Sequence, residues 1–283
     1  MPHPAMAKDN VAVITGGASG IGLAAAMRFA ALGMKVCIAD IGADALKAAE
    51  ARLSSAAPGG GAKIMIARVD VSSRDELAGL ESDVQERFGG TDILMNNAGI
   101  SPGAGMFGPL ENWQRPLAVN LWGVIHGTQV FAPRMIGRRR PGLIINTGSK
   151  QGITTPPGEP AYNVSKAGVK AFTEALQHEL RNTEGSRITA HLLIPGHVFT
   201  GLTARGRTEK PPGAWTPEQT VDFMINSLET GDFYILCPDN DVPRSLDERR
   251  MLWAIGDIVE NRPALSRWHP DYAEAFAAFV KQG

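Results

Sequence analysis

The sequence has few of the features that mark several common protein classes. Its 283 residues include only two cysteines, Cys37 and Cys237, and each lies inside a short apolar run. Such cysteines indicate small core residues rather than a disulfide framework, which fits a reducing compartment. No stretch approaches the roughly 18 consecutive apolar residues of a membrane span, and the first ten residues lack the apolar segment of a signal peptide. We therefore expect a cytoplasmic protein that does not contact a membrane.

Charge of either sign is not in excess. Lys and Arg number 28 and Asp and Glu number 29, so the formal net charge is -1 and no field exists that would hold a polyanion. We expect no nucleic acid partner. The one basic run, at 138–140, follows a glycine and precedes a proline, which indicates a solvated loop. His126, His178 and His191 fall on expected helices or a strand without metal-ligand spacing, so we expect no metal site.

Short β-branched apolar runs alternate with longer segments of helical period. The expected strands cover residues 11–15, 35–40, 63–70, 92–96, 143–147, 188–195 and 233–237. Leu77, Leu80 and Val84 lie on one stripe of an expected covering helix. This alternation is typical of βαβ units with right-handed crossovers. The sequence therefore predicts an α/β, doubly wound (Rossmann-type) seven-stranded parallel sheet with helices on both faces and a ligand crevice at the carboxyl ends of the strands.

Three segments depart from this alternation. Residues 54–62 indicate a plain surface connection. Residues 200–217, rich in Gly, Pro and Arg, follow a strand on the ligand side, where a mobile substrate lid and an ordinary loop are equally supported. Residues 238–283 carry helical patterns at 245–259 and 270–280. We expect them to form a helical C-terminal extension of the main domain at 8–237, and not an independent domain.

The first expected strand runs directly into a glycine-rich turn and a helix. This junction contains Gly16, Ser19, Gly20, Ile21 and Gly22. Glycines let a pyrophosphate approach the backbone, and the helix N-terminus offers unpaired N–H groups, so the junction predicts a dinucleotide site. Asp40 closes the second strand, where a carboxylate binds both ribose hydroxyls and repels a 2′-phosphate, which favours NAD over NADP. The alternative reading of Asp40 is a helix N-cap.

Tyr162 and Lys166 stand four residues apart in a segment of helical period, so both side chains project from one helical face. A tyrosine, with a reference pKa of about 10, is a poor base at neutral pH until a nearby cation stabilises its phenolate. Lys166 supplies such a cation, which predicts a lowered pKa for the phenol. This spacing is also common in helices without catalytic residues, so it needs support from the rest of the chain.

Further motifs supply that support, because their order resembles the classical short-chain dehydrogenase/reductase family over roughly residues 8–237. They are Thr15-Gly16-x-x-x-Gly20-Ile21-Gly22, Asp70-Val71, Asn96-Asn97-Ala98-Gly99, Asn120, Ser149 with Tyr162 and Lys166, and Pro195-Gly196-x-Val198-x-Thr200. The resemblance implies that Asp70 and Val71 contact adenine and that residues 97–99 flank the cofactor. It also implies that Val198 and Thr200 hold the nicotinamide carboxamide.

The same resemblance implies roles in the reaction. Asn120 holds, through its backbone, a water that links Lys166 to solvent. Ser149 hydrogen-bonds the substrate oxygen; Thr147 competes for this role, but Ser149 has the family's usual spacing of thirteen residues to Tyr162. In oxidation Tyr162 takes the hydroxyl proton while a hydride passes to the nicotinamide, and Lys166 also grips the nicotinamide ribose.

The implied function is NAD-dependent oxidation of a secondary alcohol, or reduction of its ketone, by a homodimer or homotetramer. Loops expected to line the substrate pocket contain Ser101, Met106, Phe107, Gln151, Ile153, Phe199 and Trp215. Their character indicates an apolar or aromatic small-molecule substrate. The alternatives are an NADPH-dependent carbonyl reductase and a dinucleotide-binding scaffold without turnover. A sugar-nucleotide epimerase of the related extended family ranks below both, because it needs a larger substrate domain.

Overall fold

Seven parallel strands form one sheet, and each lies where the sequence predicts a strand. The computed structural model describes residues 3–58, 60–103, 105–204 and 206–281. The strands are β1 (Val11–Thr15), β2 (Lys35–Asp40), β3 (Ile64–Arg68), β4 (Ile93–Asn96), β5 (Gly142–Thr147), β6 (Ile188–Ile194) and β7 (Tyr234–Leu236). Their order across the sheet is β3-β2-β1-β4-β5-β6-β7. The winding reverses between β1 and β4, which confirms the doubly wound fold and places its crevice there.

Helices cover both faces of this sheet. They are α1 (Gly20–Ala31), α2 (Ala43–Ala56), α3 (Arg74–Phe88), α4 (Glu111–Leu117), α5 (Gly123–Gly137), α6 (Gln151–Thr154), α7 (Pro160–Asn182), α8 (Gly201–Ala204), α9 (Pro217–Thr230), α10 (Arg244–Val259) and α11 (Ala273–Lys281). α1, α2 and α9 cover one face with Phe29, Leu53 and Met224. α3, α5 and α7 cover the other with residues such as Phe131 and Leu180. None of the described helices has the length and apolar character needed to cross a membrane.

Helix α3 illustrates how the local sequence specifies a covering helix. Leu77, Leu80 and Val84 are buried on its inner face, as their spacing predicts. The hydroxyl of Ser73 accepts a hydrogen bond of 3.3 Å from the backbone N–H three residues later, which starts the helix. Gly89 ends it in the left-handed conformation, with φ at 84°. The spacing of the apolar residues and the two capping residues therefore predict the same start and end for helix α3.

Strands β3 and β7 are shorter than the sequence predicts. A 3-10 turn over Gly60–Lys63 occupies the expected start of β3, and the strand ends at Arg68, which pairs with Asp40 at the end of β2. The edge strand β7 pairs with β6 at three positions. Strand ends are set by where the neighbouring strand stops offering hydrogen-bond partners, and an apolar run does not encode that length.

The basic run at 138–140 is not a solvated loop throughout, so that prediction is wrong for Arg138. Its Nη2 lies 3.2 Å from Oδ1 of Asp92, and its Nη1 donates to the carbonyl of Thr91 at 2.6 Å. Asp92 is 3% exposed and also accepts the N–H of Val11 at 2.8 Å. This buried ion pair joins the end of α5 to the amino ends of β1 and β4.

We expect Asp92→Ala to lower the free energy of unfolding by about 3–5 kcal/mol, because the Arg138 guanidinium then stays partly buried without its partner. Urea unfolding followed by circular dichroism measures this change. The matched control is Asp222→Ala, which removes an exposed carboxylate 3.6 Å from Arg28. That change should cost about 1 kcal/mol or less. Equal, small effects in the two variants would contradict a structural role for the buried pair.

The C-terminal extension is organised around one buried tryptophan. Trp253 on α10 is 5% exposed, and its ring centroid lies 5.4 Å from that of Phe276 and 5.2 Å from that of Phe279. Its indole N–H donates to the hydroxyl of Ser266 at 2.8 Å. Met251, also on α10, packs against the apolar cluster of α7, β6 and β7. The extension therefore packs both on itself and on the main domain.

Candidate active site

One crevice of about 370 Å³ opens at the carboxyl ends of the strands. Most of the residues that the sequence predicts for cofactor and catalysis line it: Gly16, Ser19, Gly20, Ile21, Asp40, Asp70, Val71, Asn97, Ala98, Gly99, Ser149, Tyr162, Lys166, Pro195, Gly196, Val198 and Thr200. Gly22 and Asn120 lie behind this lining. Residues from six loops are thus brought together by the parallel sheet, since each loop follows the carboxyl end of a strand.

The turn after β1 contains three positions, Gly16, Gly20 and Gly22, that suit glycine and no larger residue; we call this turn the glycine cradle. Gly16 and Gly20 have φ at 63° and 52°, in the left-handed region. A Cβ on Gly16 would lie 2.7 Å from Cα of Ala98, and one on Gly22 would overlap the carbonyl oxygen of Gly16. Helix α1 begins at Gly20, and the side chain of its N-cap Ser19 makes no capping hydrogen bond. Because Ser19, Gly20 and Ile21 line the crevice, the helix N-terminus faces it in the arrangement that binds phosphate groups.

Asp40 shapes this turn from the end of β2. Its Oδ2 accepts the N–H of Ala18 at 3.1 Å, and its Oδ1 accepts the N–H groups of Ile41 at 2.8 Å and Gly42 at 3.3 Å. The N-cap of α2 is Gly42, so the reading of Asp40 as that N-cap is wrong. Half-buried beside the glycine cradle, the carboxylate is placed to meet a ribose. The cradle and this carboxylate together fit the pyrophosphate and ribose of a dinucleotide.

Asn97 joins three strand ends at the floor of the crevice. Its side-chain amide donates to the carbonyls of Thr15 at 3.2 Å and Gly16 at 3.3 Å. Its side-chain oxygen accepts the hydroxyl of Thr147 at 3.2 Å. The glycine turn after β1 is thereby held to β4 and β5, so the cradle keeps its shape relative to the catalytic residues that follow β5.

Ser149, Tyr162 and Lys166 converge on one wall of the crevice. Nζ of Lys166 lies 5.8 Å from the centroid of the Tyr162 ring and donates to the carbonyl of Thr147 at 2.7 Å. The Ser149 hydroxyl is a hydrogen-bond partner of the Tyr162 phenol. Thr147 is 7% exposed, and its hydroxyl is engaged by Asn97. Of the two candidate hydroxyls, that of Ser149 is the one beside the phenol.

Burial has the largest effect on the pKa values of Tyr162 and Lys166. It raises the pKa of Tyr162, an effect that the Ser149 hydrogen bond opposes and the charge of Glu159 increases. It lowers the pKa of Lys166 to about 8. The sequence predicts a lowered pKa for the phenol, and without the cofactor this prediction is wrong, because desolvation has the largest effect on both groups.

Asn120 lies in a π-helical turn, Ala118–Trp122, between α4 and α5. Its side chain is fully buried, accepts the N–H of Ile100 at 2.8 Å and donates to the carbonyl of Ile100 at 2.9 Å. It also donates to the hydroxyl of Ser165 at 3.2 Å. These contacts tie the segment after β4 to α7 beside Lys166. The water that the family resemblance places on its backbone stays a prediction.

The expected lid at 200–217 is partly fixed to the main domain; Arg205 within it lies outside the described residues. Helix α8 occupies its first residues, and Leu202 and Thr203 line the crevice. At the other end, the backbone N–H of Trp215 donates to the carbonyl of His197 at 2.8 Å, and its backbone carbonyl accepts the N–H of Phe199 at 2.9 Å. Both ends of the segment are therefore placed beside the loop after β6.

The expected substrate-pocket residues divide into three groups. Trp215 is partly buried and packs against Phe223 at the border of the core between the sheet and α9, with ring centroids 5.8 Å apart. Met106 is 59% exposed and Phe107 is 100% exposed, so neither forms a packed pocket wall. The half-buried members are Ser101, Gln151, Ile153 and Phe199. Their neighbour Ile100 lines the crevice and was not among the predicted residues.

Sequence reasoning also missed Arg115, which lines the crevice, and two charged residues beside it. Arg68, at the end of β3, donates from Nε to the carbonyl of Ile41 at 3.3 Å and so lies next to Asp40. Lys150, directly after Ser149, forms ion pairs with Asp239 and Asp247. Strand register brings Arg68 beside Asp40, and the C-terminal extension covers Lys150. For Lys150, its position next to the candidate catalytic serine was the available signal.

Comparison with known proteins gives the family. The family model for short chain dehydrogenases matches residues 10–211. The chain is 30% identical to 1-deoxy-11-beta-hydroxypentalenate dehydrogenase from Streptomyces exfoliatus over 273 residues, which are 92% of this chain and 94% of that protein. It is 34% identical to 3beta-hydroxysteroid dehydrogenase 2 from Eggerthella lenta over 202 residues, which are 71% of this chain and 75% of that protein.

A solved structure agrees with these matches. The fold is similar to that of a short chain dehydrogenase/reductase from Burkholderia phymatum in complex with NAD, with a TM-score of 0.80, 31% identity, and coverage of 90% of this chain and 96% of that chain. Sequence motifs, fold and crevice geometry therefore agree with one another. The chain belongs to the short-chain dehydrogenase/reductase family and is an oxidoreductase.

Proposed function

We propose that this oxidoreductase uses NAD to oxidise a secondary alcohol, or NADH to reduce its ketone, with an apolar or aromatic substrate. The observation that carries the proposal is the convergence of Ser149, Tyr162 and Lys166 at the crevice that also contains the glycine cradle. A phenol and a serine hydroxyl side by side suit proton exchange with a single oxygen atom. The relatives named as hydroxypentalenate and hydroxysteroid dehydrogenases support an alcohol as the reacting group.

Each catalytic side chain has a separate task in this proposal. Tyr162 accepts the hydroxyl proton in oxidation and returns it in reduction. Ser149 donates a hydrogen bond to the substrate oxygen and stabilises its developing charge. Lys166, held on the carbonyl of Thr147, supplies positive charge behind the phenol and a hydrogen-bond donor for the cofactor ribose. A bound nicotinamide supplies the hydride acceptor or donor.

Activity with a panel of secondary alcohols tests this function. Purified protein is mixed with NAD and aliphatic, alicyclic and aromatic secondary alcohols in turn, and the absorbance of the reduced cofactor is followed. We expect at least one apolar alcohol to give turnover and its ketone to oxidise NADH. Absence of turnover with every alcohol and ketone, despite measurable NADH binding, would contradict the proposal and favour a scaffold.

The preference for NAD over NADP depends on Asp40. Its carboxylate faces the ribose end of the cradle, and two like charges near a protein surface repel by a few kcal/mol at about 4 Å. We therefore expect fluorescence titration to give a Kd for NADH at least about tenfold below that for NADPH, which corresponds to about 1.4 kcal/mol. Asp40→Asn should reduce this ratio. The control Asp44→Asn, an exposed carboxylate in the first turn of α2, should leave it unchanged.

The alternative of an NADPH-dependent carbonyl reductase has one observation in its favour. Arg68 lies next to Asp40 and presents a cation near the place where a 2′-phosphate would lie. Its Nε is engaged by the carbonyl of Ile41, and the Asp40 carboxylate, which lines the crevice, repels the same phosphate. Equal or tighter binding of NADPH in the same titration would favour this alternative over the NAD-dependent enzyme.

We also propose that the protein is cytoplasmic and forms a homodimer or homotetramer, with residues 8–237 as the catalytic domain and residues 238–283 as an extension of it. Trp122 and Val164, on the π turn and on α7, are 52% and 49% exposed. Large apolar side chains at these places support a subunit contact around the helices of Asn120 and Tyr162. Sedimentation velocity, which would detect a monomer, tests the oligomeric state.

A further inference from the structure

A buried cluster of three charged residues lies beside the candidate catalytic serine. Nζ of Lys150 is 2.5 Å from Oδ2 of Asp247 and 3.4 Å from Oδ2 of Asp239. The side chains of the lysine and the two aspartates are 16%, 4% and 5% exposed. Ser149 immediately precedes Lys150, which is also the N-cap of the short helix α6. The cluster is therefore covalently continuous with the residue that is placed to bind the substrate oxygen.

One aspartate connects the cluster to the loop after β6. Oδ2 of Asp239 accepts the N–H of His197 at 3.1 Å, and the backbone N–H of Lys150 donates to the carbonyl of Pro195 at 3.4 Å. A Cβ on Gly196 would lie 2.5 Å from Oδ2 of Asp239 and 2.8 Å from Nζ of Lys150. The charged groups thus pack directly on the backbone of the loop that is expected to hold the nicotinamide carboxamide.

The other aspartate connects the cluster to the C-terminal extension. Asp247 lies on α10, and burial raises the pKa of its carboxyl while Lys150 opposes that effect. Burying three charges costs desolvation energy that their attraction only partly repays, so such a cluster contributes little to overall stability. Its geometry indicates a role in position, because it joins three segments that are distant in sequence: residues 149–151, 195–197 and α10.

Resting on the proposed function, we propose that Lys150, Asp239 and Asp247 are positioning residues through which the C-terminal extension fixes Ser149 and the nicotinamide-binding loop relative to each other. None of the three needs to touch substrate or cofactor. The consequence is specific: loosening the cluster impairs turnover and binding of the nicotinamide half of the cofactor, whereas the half held by the glycine cradle and Asp40 binds as before.

The test compares Lys150→Met with the wild type in two binding measurements and one kinetic measurement. We expect kcat to fall and the Kd of NADH to rise, each by about ten- to a hundredfold, because small misplacements of reacting groups have effects of this size. The Kd of ADP-ribose, which lacks nicotinamide, should change by less than about twofold. Lys150→Arg, which keeps a cation, should restore most of kcat.

Two further variants complete the design. Asp247→Asn keeps side-chain volume while removing the charge, so it tests the same link if Lys150→Met does not fold. Arg244→Gln is the matched control, because it breaks an exposed pair on the same helix, 2.7 Å from Nε to Oε1 of Glu248; it should behave as wild type. If the ratio of the Kd values for NADH and ADP-ribose does not change in Asp247→Asn, whether both values stay the same or both rise equally, the inference is overturned.

Failure of this inference can be distinguished from failure of the proposed function. The binding ratio needs no alcohol substrate, so it tests the cluster even in a protein without turnover. If the wild type binds NADPH in preference, the same ratio is measured with NADPH and 2′-phospho-ADP-ribose. The alcohol panel then decides the reaction, and the binding ratio decides the cluster.

Discussion

Replacing Tyr162 with Phe should lower kcat for alcohol oxidation by roughly 10²–10⁴-fold, the range typical of a lost general acid or base. Tyr162 lies in the crevice beside Ser149 and above the ammonium of Lys166, and Phe removes its hydroxyl while keeping the ring. Because the ring still packs in place, the Kd of NADH should stay within about twofold of wild type. Steady-state kinetics and fluorescence titration on the same preparation measure both quantities.

The chain provides a matched control for this change. Tyr234 lies on the edge strand β7, and its hydroxyl donates to Oε1 of Glu174 at 2.6 Å, outside the crevice. Tyr234→Phe removes the same chemical group from a place where no reaction is expected, so kcat should not change. If Tyr162→Phe keeps full turnover, another group carries the proton. If neither wild type nor variant turns over any substrate, a scaffold that binds dinucleotides is favoured.

The sequence predicts the fold well because its signals are local and agree with one another. The central strands, such as β1, are short buried apolar runs, and helix α3 has both its apolar stripe and its caps encoded within a few residues. Gly16 and Gly20 require backbone conformations that other residues rarely adopt, so their positions indicate the cradle directly. The motif residues of the crevice follow strand ends, and a parallel sheet brings strand ends together.

Other features of the site depend on contacts that no local pattern encodes. The role of Arg138 depends on reaching Asp92, and the place of Arg68 depends on the register of β3 against β2. Lys150 has its partners in the segment after β7 and in α10, which are far along the chain. The sequence predicts Trp215 as a pocket residue in a loop, but it does not line the crevice and packs against Phe223 at the border of the core. Tertiary packing decides each of these cases.

The acidity of Tyr162 is a further example, because spacing on a helix gives proximity but not burial. Four residues place Lys166 near the phenol, and the structure confirms their shared face with a separation of 5.8 Å from Nζ to the ring centroid. The depth of the site then determines which effect is larger. Burial raises the pKa of the phenol and lowers that of the amine to about 8, so desolvation has the largest effect on both groups.

Lys166→Met should lower the rate of alcohol oxidation by about a hundredfold or more and should remove the inflection near pH 8 from the plot of kcat/KM against pH. Alcohol oxidation delivers a proton to the tyrosine and lysine pair, so the pair must first be deprotonated. The pair loses one of its two protons with an apparent pKa near the lowered value of Lys166, about 8, and the active form is the one in which the remaining proton lies on Lys166 and Tyr162 is the phenolate. We therefore expect kcat/KM for oxidation to rise about tenfold per pH unit up to about that pH and to level off above it. Ketone reduction needs the protonated pair and should decline above the same pH.

In Lys166→Met the remaining titration belongs to Tyr162, whose pKa burial raises, so the oxidation rate should still be rising at pH values where the wild type is constant. Lys170→Met is the matched control, one helical turn further along α7, where an exposed ammonium pairs with Glu174 at 2.8 Å. Its profile should match that of the wild type. An inflection near pH 8 that persists in Lys166→Met would assign the titration to another group and would contradict the proposed pair. Loss of the inflection together with normal ADP-ribose binding would instead show that Tyr162 and Lys166 take up the proton that alcohol oxidation releases.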